Sequence, residues 1–398
     1  APTCHGLRRS HARYLRGQCL VPFLFALVFS VGLMNAPTWA QDAGETGSSP
    51  NKATVVFPDP NLEAAVRAAI SKPEGDIQDE DLAAFDTLNA GGRGIVDLSG
   101  LERWTSLVDL SLGAEYSNDA GMAEFNAIED LTALTNLTNL TRLDLDSNHI
   151  TDVGPISSLP LLTDLDLGYN AIEDVDPLAG LSKTLQRLNL GNNQITDISP
   201  LSVLAALEGL DLSANPFSDI SALTTFAAVE MLSYLGLNGN HISDIGPLAS
   251  LVSLTELSLG GDYIDNVYVT NEIEDISPLA SLVNLESIRM SSNQIEDISP
   301  LGGLGQLLLV VVDENQIVSL APLADHTNLT DLFVQYNPIE DFGALSTLTS
   351  LDSLDLDFTG FQDIAALQGL TALEYLALGG NEIGDISGIQ ELTNLTYL

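Results

Sequence analysis

The chain has 398 residues, 45% hydrophobic but only 6% aromatic, so it belongs to a folded protein whose apolar share is chiefly aliphatic. Thirteen Lys and Arg stand against 55 Asp and Glu, a formal charge of −42. A surface of that sign repels phosphates and anionic lipid, which excludes nucleic acid as a partner and leaves cationic proteins, metal ions or uncharged surfaces.

Residues 1–18 carry Arg8, Arg9, Arg13 and Arg16 and no acid, residues 19–34 are an unbroken apolar run, and Thr38-Trp39-Ala40 follows with small residues at 38 and 40. Basic, apolar, small is the order of a secretory signal, expected over 1–40 with cleavage near Ala40. An uncleaved anchor is the alternative, but the run is short for a span of about 20 residues. After cleavage no membrane insertion is expected. Both cysteines, Cys4 and Cys19, fall in that segment, so disulfides, cysteine zinc sites and thiol catalysis are not expected of the mature chain. Residues 41–53, small and polar, read as a flexible linker. Over 54–87 a helical cap is expected. Leu62, Val66, Ala69 and Ile70 give residues 59–71 a helical stripe, and a second short helix fits Asp79–Phe85 with Asp79 as its cap.

From Leu88 to the end a 22-residue pattern repeats, L-x-x-L-x-L-x-x-N-x-I-x-D-I-x-P-L-x-x-L. The first residues of the L-x-L pairs are Leu88, Leu110, Leu143, Leu165, Leu188, Leu210, Leu235, Leu257, Ile288, Val310, Leu332, Leu354, Leu376 and Leu398. That makes about thirteen repeats over 88–398. Alternation makes L-x-L a short strand with both leucines inward, and stacking covers what one repeat cannot bury. The recurring Asn (Asn148, Asn170, Asn193) is the turn residue, its amide satisfying backbone groups there and in the next coil. Ser-Pro, as in Asp197–Leu201, reads as the start of a 3₁₀ turn, Ser capping and Pro first. The expected fold is an α/β right-handed solenoid of parallel short strands with convex 3₁₀ turns and a small helical N-terminal cap.

These repeats, with Phe57-Pro58-Asp59, Asp81-Leu82, Gly94-Ile95 and Gly100-Leu101-Glu102 before them, resemble the 22-residue class of bacterial leucine-rich repeats, and within it the internalin-like surface proteins. The resemblance implies an exported recognition protein of a bacterial surface and runs over about 55–398. It leads one to expect an anchor or further module, yet the chain ends at Tyr397-Leu398 inside a strand, so a longer protein is expected. Thr359 replaces the turn Asn, and Val310-Val311-Val312 replaces the usual strand.

In this architecture the strand residues flanking the leucines face the concave side. In the first half they are polar and mostly acidic, with Asp144, Asp146 and Asp166 as contact candidates. In the second half Leu309, Val311, Phe333 and Tyr375 are apolar, with Tyr336 and Phe358 just past the strands. Exposed apolar clusters mark contact sites and aromatic anchors often dominate binding energy; scattered surface apolars are the alternative. Steps of 33 from Leu110 and 31 from Leu257 insert residues near 114–125 and 262–270, placing Tyr116 and Tyr263 in loops on one edge. Those loops either carry binding residues or are tolerated insertions.

Asp144-x-Asp146-x-Asn148 imitates the start of a calcium loop, but His149 stands at the sixth position and Pro155 at the twelfth, and the repeat explains the same residues. No catalytic constellation appears: of the histidines after residue 40, His149 and His241 sit in the turn and His326 on the outer side. The expectation is a non-enzymatic, secreted or surface-displayed monomer that needs no cofactor or metal and grips a protein or glycan with its concave face. Two alternatives remain: the targeting domain of a longer exported enzyme, and an acidic protein that binds divalent cations.

Overall fold

The computed structural model describes residues 54–116, 123–228, 231–264 and 267–398; the expected signal peptide over 1–40 and linker over 41–53 lie outside them. Thr54–Leu398 is one compact unit. The solenoid is what the repeat dictates. Thirteen strands form a single parallel sheet, in register from Leu88↔Leu110 through to Leu354↔Leu376, so the predicted strand centres from Leu88 to Leu376 stack in order, while the fourteenth, Leu398, lies outside the sheet. Leu88, Leu110, Leu143 and their successors through Leu376 are at most 2% exposed and form one continuous core, whereas Leu398 is 62% exposed. Each coil buries aliphatic side chains that it could not cover alone.

The asparagines hold the coils together, but they serve the preceding coil rather than the next. Asn148 Oδ1 accepts Ile128 N–H at 3.0 Å, and its Nδ2 donates to Leu112 O at 3.2 Å on that earlier coil and to Leu145 O at 3.1 Å on its own. The same set recurs at Asn170, Asn193, Asn293 and Asn315. In the coils without insertions the residue before the turn Asn has a left-handed backbone, as in Ser147 (φ 55°) and Tyr336 (φ 55°), and so has Phe358 (φ 55°) before Thr359. Such backbone is costly for residues with a Cβ and persists because the surrounding bonds over-determine it. Thr359, in the place of an Asn, donates its Oγ1 to Leu356 O at 2.7 Å. Ile339 N–H bonds Asn337 O across Pro338, as Phe217 N–H bonds Asn215 O across Pro216.

The 3₁₀ turns are present at Ser199–Val203, Ser277–Ser281 and Ser299–Gly303, each with Pro in its first residues. Their cap corrects the sequence reading. Ser does not cap; it is the first turn residue and donates its N–H to the Asp two positions earlier, Ser199 to Asp197 Oδ1 at 2.8 Å and Ser277 to Asp275 Oδ1 at 2.8 Å. A carboxylate fixed by that short loop is the stronger acceptor.

At the N-terminal end α1 (Pro60–Ala69) starts from Asp59, whose Oδ1 accepts from Asn61 and Leu62 while its Oδ2 takes Val96 N–H at 2.8 Å, tying the cap to the first coil. α2 (Asp79–Leu82) is shorter than expected, and Asp79 lies inside it: the Asp81 carboxylate accepts Gln78 N–H at 2.8 Å, and Asp79 pairs with Arg103. Trp104, wholly buried, bonds Phe85 O, and Gly100 (φ 104°) is needed because a Cβ there would meet Val56 O at 2.6 Å.

Candidate functional site

The concave sheet presents two columns of solvent-side positions, set by strand register. In the first, Asp109, Arg142, Asp164 and Arg187 alternate in charge across neighbouring strands, and Arg187 is paired with Asp164. In the second, Ser111 donates to Asp144 at 2.9 Å, and Asp166 accepts from Gly168 N–H at 3.0 Å and Asn189 Nδ2 at 2.9 Å. Asp146 lies past its strand and accepts from Ala114 N–H and Ser147 Oγ.

Crowding changes the charge of this face. Burial first, then the Asp144 carboxylate beside it, pushes Asp146 up to about 6 and Asp166 up to about 7. Asp355 is likewise raised to about 7 by burial and then by Asp357 and Asp313. The predicted calcium-like run does not converge: Asn148 serves the ladder and Asp152 caps Gly154 at 2.8 Å. Among the described residues no three His, Cys, Asp or Glu are grouped to hold a metal.

The apolar second half is arranged differently from the sequence reading. Val311 is only 8% exposed, so it is not an open contact residue; in register it stands between the longer Arg289 and Phe333, which accounts for its cover. Leu309 and Phe333 remain half-buried on adjoining strands. Tyr375 is separated from Leu309 by Asp331 and Ser353, and instead stacks on Tyr397 with ring centres 4.7 Å apart. The predicted stretch is therefore two apolar spots. Tyr336 (51% exposed) and Phe358 (52% exposed) do meet, as parallel rings with centres 4.7 Å apart at 9°.

Both insertions form antiparallel hairpins, Glu115–Tyr116 with Ala123–Glu124 and Asp262–Ile264 with Val267–Val269. Tyr116 stands in the first. In the second, Tyr263 is 55% exposed and packs at 4.9 Å against Tyr268, whose hydroxyl meets Ser292 Oγ at 2.9 Å. His326 lies beside the outer 3₁₀ turns but is buried there, sharing a 3.1 Å hydrogen bond with Leu301 O. On the turn edge a shallow groove of about 870 Å³ is lined by Glu274, Glu296, Asp297, Gln316 and Ser319.

Sequence reasoning placed Gln335 and Asp355 on the concave side and missed Tyr397 and Tyr268. Tyr397 repeats Tyr375 one period later, a readable signal; Tyr268 needs the hairpin pairing to be seen.

A ridged sheet with a filled interior and an open face of varied side chains is the architecture of leucine-rich-repeat interaction scaffolds. Residues 138–180 and 183–225 match the family described as Leucine Rich repeats (2 copies). Among solved structures, an internalin (inlF) of Listeria monocytogenes is 34% identical, with 87% of this chain and 97% of that one covered at a TM-score of 0.76. The chain belongs to the internalin family. A leucine-rich-repeat protein of Leptospira interrogans (23% identity, 80% and 79% covered, TM-score 0.66) and the functional domain of InlJ from Listeria monocytogenes (23%, 86% and 73%, 0.57) share the fold. No curated protein matches the sequence.

Proposed function

We propose that this chain is an exported, non-enzymatic recognition protein that binds a protein or glycan partner on a surface through its concave face. The carrying observation is the thirteen-strand sheet itself, whose outward positions are charged and polar on one half and add apolar or aromatic residues, Leu309, Phe333 and Tyr375, among the acids of the other. The interior is filled by leucines from end to end, so function falls to those outward positions. The N-terminal basic, apolar, small order supports export. The acidic oxygens of Asp146 and Asp166 already accept backbone N–H groups, which favours a recognition face over a divalent-ion site.

The test is capture of partners from candidate cell surfaces by the mature protein and by a Phe333→Ala, Tyr375→Ala double variant. Truncating two aromatic anchors is expected to lower apparent affinity about tenfold or more. Equal capture by both would remove these residues from the partner surface.

A further inference from the structure

Two residues past the strand Asp331–Phe333 stands Gln335, 5% exposed. The same station holds Asp313 one coil earlier and Asp357 one coil later, and Asp355 lies one strand over. Gln335 is hydrogen-bonded to Asp313, which turns its amide nitrogen toward the earlier coil and Oε1 away from it. Oε1 has no hydrogen-bond partner. Buried polar atoms are rarely left without a partner. The chain does not supply a donor: no Lys or Arg occurs between Met290 and Leu398, and Arg289 donates to Ser287 Oγ at 2.8 Å and faces Glu256, Tyr234 and Asp331. The next coil, across from Asp313, carries acceptors. Asp355 accepts Asp357 N–H at 2.9 Å and Asp357 accepts Gly379 N–H, leaving a carboxylate oxygen on each. One residue further, Tyr336 and Phe358 form their exposed stack.

An unpaired amide oxygen, two carboxylates and an aromatic pair fit one side chain better than others. Guanidinium is planar, carries five donors in a fixed fork and packs on aromatic rings, whereas ammonium is a compact, strongly hydrated point charge. We propose that Gln335, Asp355 and Asp357, bordered by Tyr336 and Phe358, form a socket for an arginine side chain of a protein partner. This rests on the concave-face reading and deepens it by naming the partner's chemistry: a protein segment with an exposed arginine, its fork donating to Gln335 Oε1 and the two carboxylates.

The test uses fluorescein-labelled hexa-arginine and hexalysine peptides, titrated by anisotropy in about 0.15 M salt, where long-range attraction to the acidic chain is largely screened. Gln335→Leu changes no charge, and Glu296→Gln removes one exposed charge elsewhere. Gln335→Leu and Asp355→Asn are expected to weaken hexa-arginine binding about tenfold, a size suited to a lost charge-assisted contact, with Glu296→Gln changing it less than about twofold. Tyr336→Gly, suited to the positive φ there, is a second variant should Gln335→Leu fail to fold, and is expected to weaken arginine binding several-fold. Wild-type binding by a folded Gln335→Leu or Tyr336→Gly variant, equal losses in Asp355→Asn and Glu296→Gln, or equal affinity for the two peptides would each overturn the socket. If partner capture still depends on Phe333 and Tyr375 in that case, only the socket falls; loss of that dependence is what would end the concave-face reading.

Discussion

Asn293→Ala tests the ladder most directly. Asn293 Oδ1 accepts Ile273 N–H at 3.0 Å, and its Nδ2 donates to Leu259 O at 2.9 Å and Met290 O at 3.1 Å. The position is 8% exposed, so water cannot readily replace the amide. Alanine strands one N–H and weakens two carbonyls. At about 1–3 kcal/mol for each buried unsatisfied group, and with carbonyls the more tolerant, the loss is about 3–5 kcal/mol. A unit of this length loses about 1–2 °C of melting temperature per kcal/mol, so a fall of about 5 °C is expected. The assay is thermal and urea unfolding by circular dichroism, joined to hydrogen exchange. Exchange separates a local effect from a global one: Ile273 N–H should lose protection before amides near Leu110, because coils couple chiefly to their neighbours. A destabilisation under about 1 kcal/mol, or unchanged protection at Ile273, would refute the view that the amide, and not leucine stacking alone, locks each coil to the one before.

Further outcomes follow from the carboxylates. Asp166 is raised to about 7 when folded, far above its unfolded value, so the folded state binds more protons between about pH 4 and 7 and its cost is relieved as pH falls; Asp166→Asn should stabilise by about 1–3 kcal/mol at pH 8 and by little at pH 5, read by urea midpoint. Asp197, Asp219, Asp275 and Asp385 are instead held low by the N–H they accept, so their contribution is present above the unfolded carboxylate range and lost as pH falls below it. Thermal melts should therefore peak at mildly acidic pH, and a monotonic rise from pH 4 to 8 would contradict the raised assignment of Asp166. Asp59→Ala removes acceptors for Leu62 and Val96 and should cost about 1–2 kcal/mol while leaving later coils protected in hydrogen exchange.

The strands were legible because period and alternation are properties of sequence: Leu88 to Leu376 stack in the predicted register. Turn chemistry was half legible. Asp-Ile-Ser-Pro announces a 3₁₀ start, but sequence cannot tell which oxygen reaches the N–H, and Asp197 rather than Ser199 does so. The site was less legible still. Which outward residue stays open depends on the neighbouring coils, and that is how Val311 comes to be covered while Tyr336 and Phe358 stack in the open. The inserted hairpins depend on antiparallel pairing that no 22-residue pattern encodes.

The formal charge of −42 overstates the field at the concave face. Carboxylates at the turn entries are favoured ionised by the N–H groups they accept, whereas Asp146, Asp166 and Asp355 are disfavoured ionised by burial and then by the carboxylates beside each. At neutral pH the second set is partly protonated, so the face is primed for cations rather than already repelling itself. A cation that docks beside Asp355 must displace its proton, in the field of Asp357 on the same coil, Asp313 two coils earlier and Tyr375 on the next coil. Binding and proton release are then one linked equilibrium, and arginine-peptide affinity should rise from pH 6 to pH 8 and flatten in Asp355→Asn. Long-range attraction to the turn-entry carboxylates, ionised throughout that interval, supplies no such slope. An affinity flat across that interval in the wild type would place the cation on the turn edges instead of in the socket.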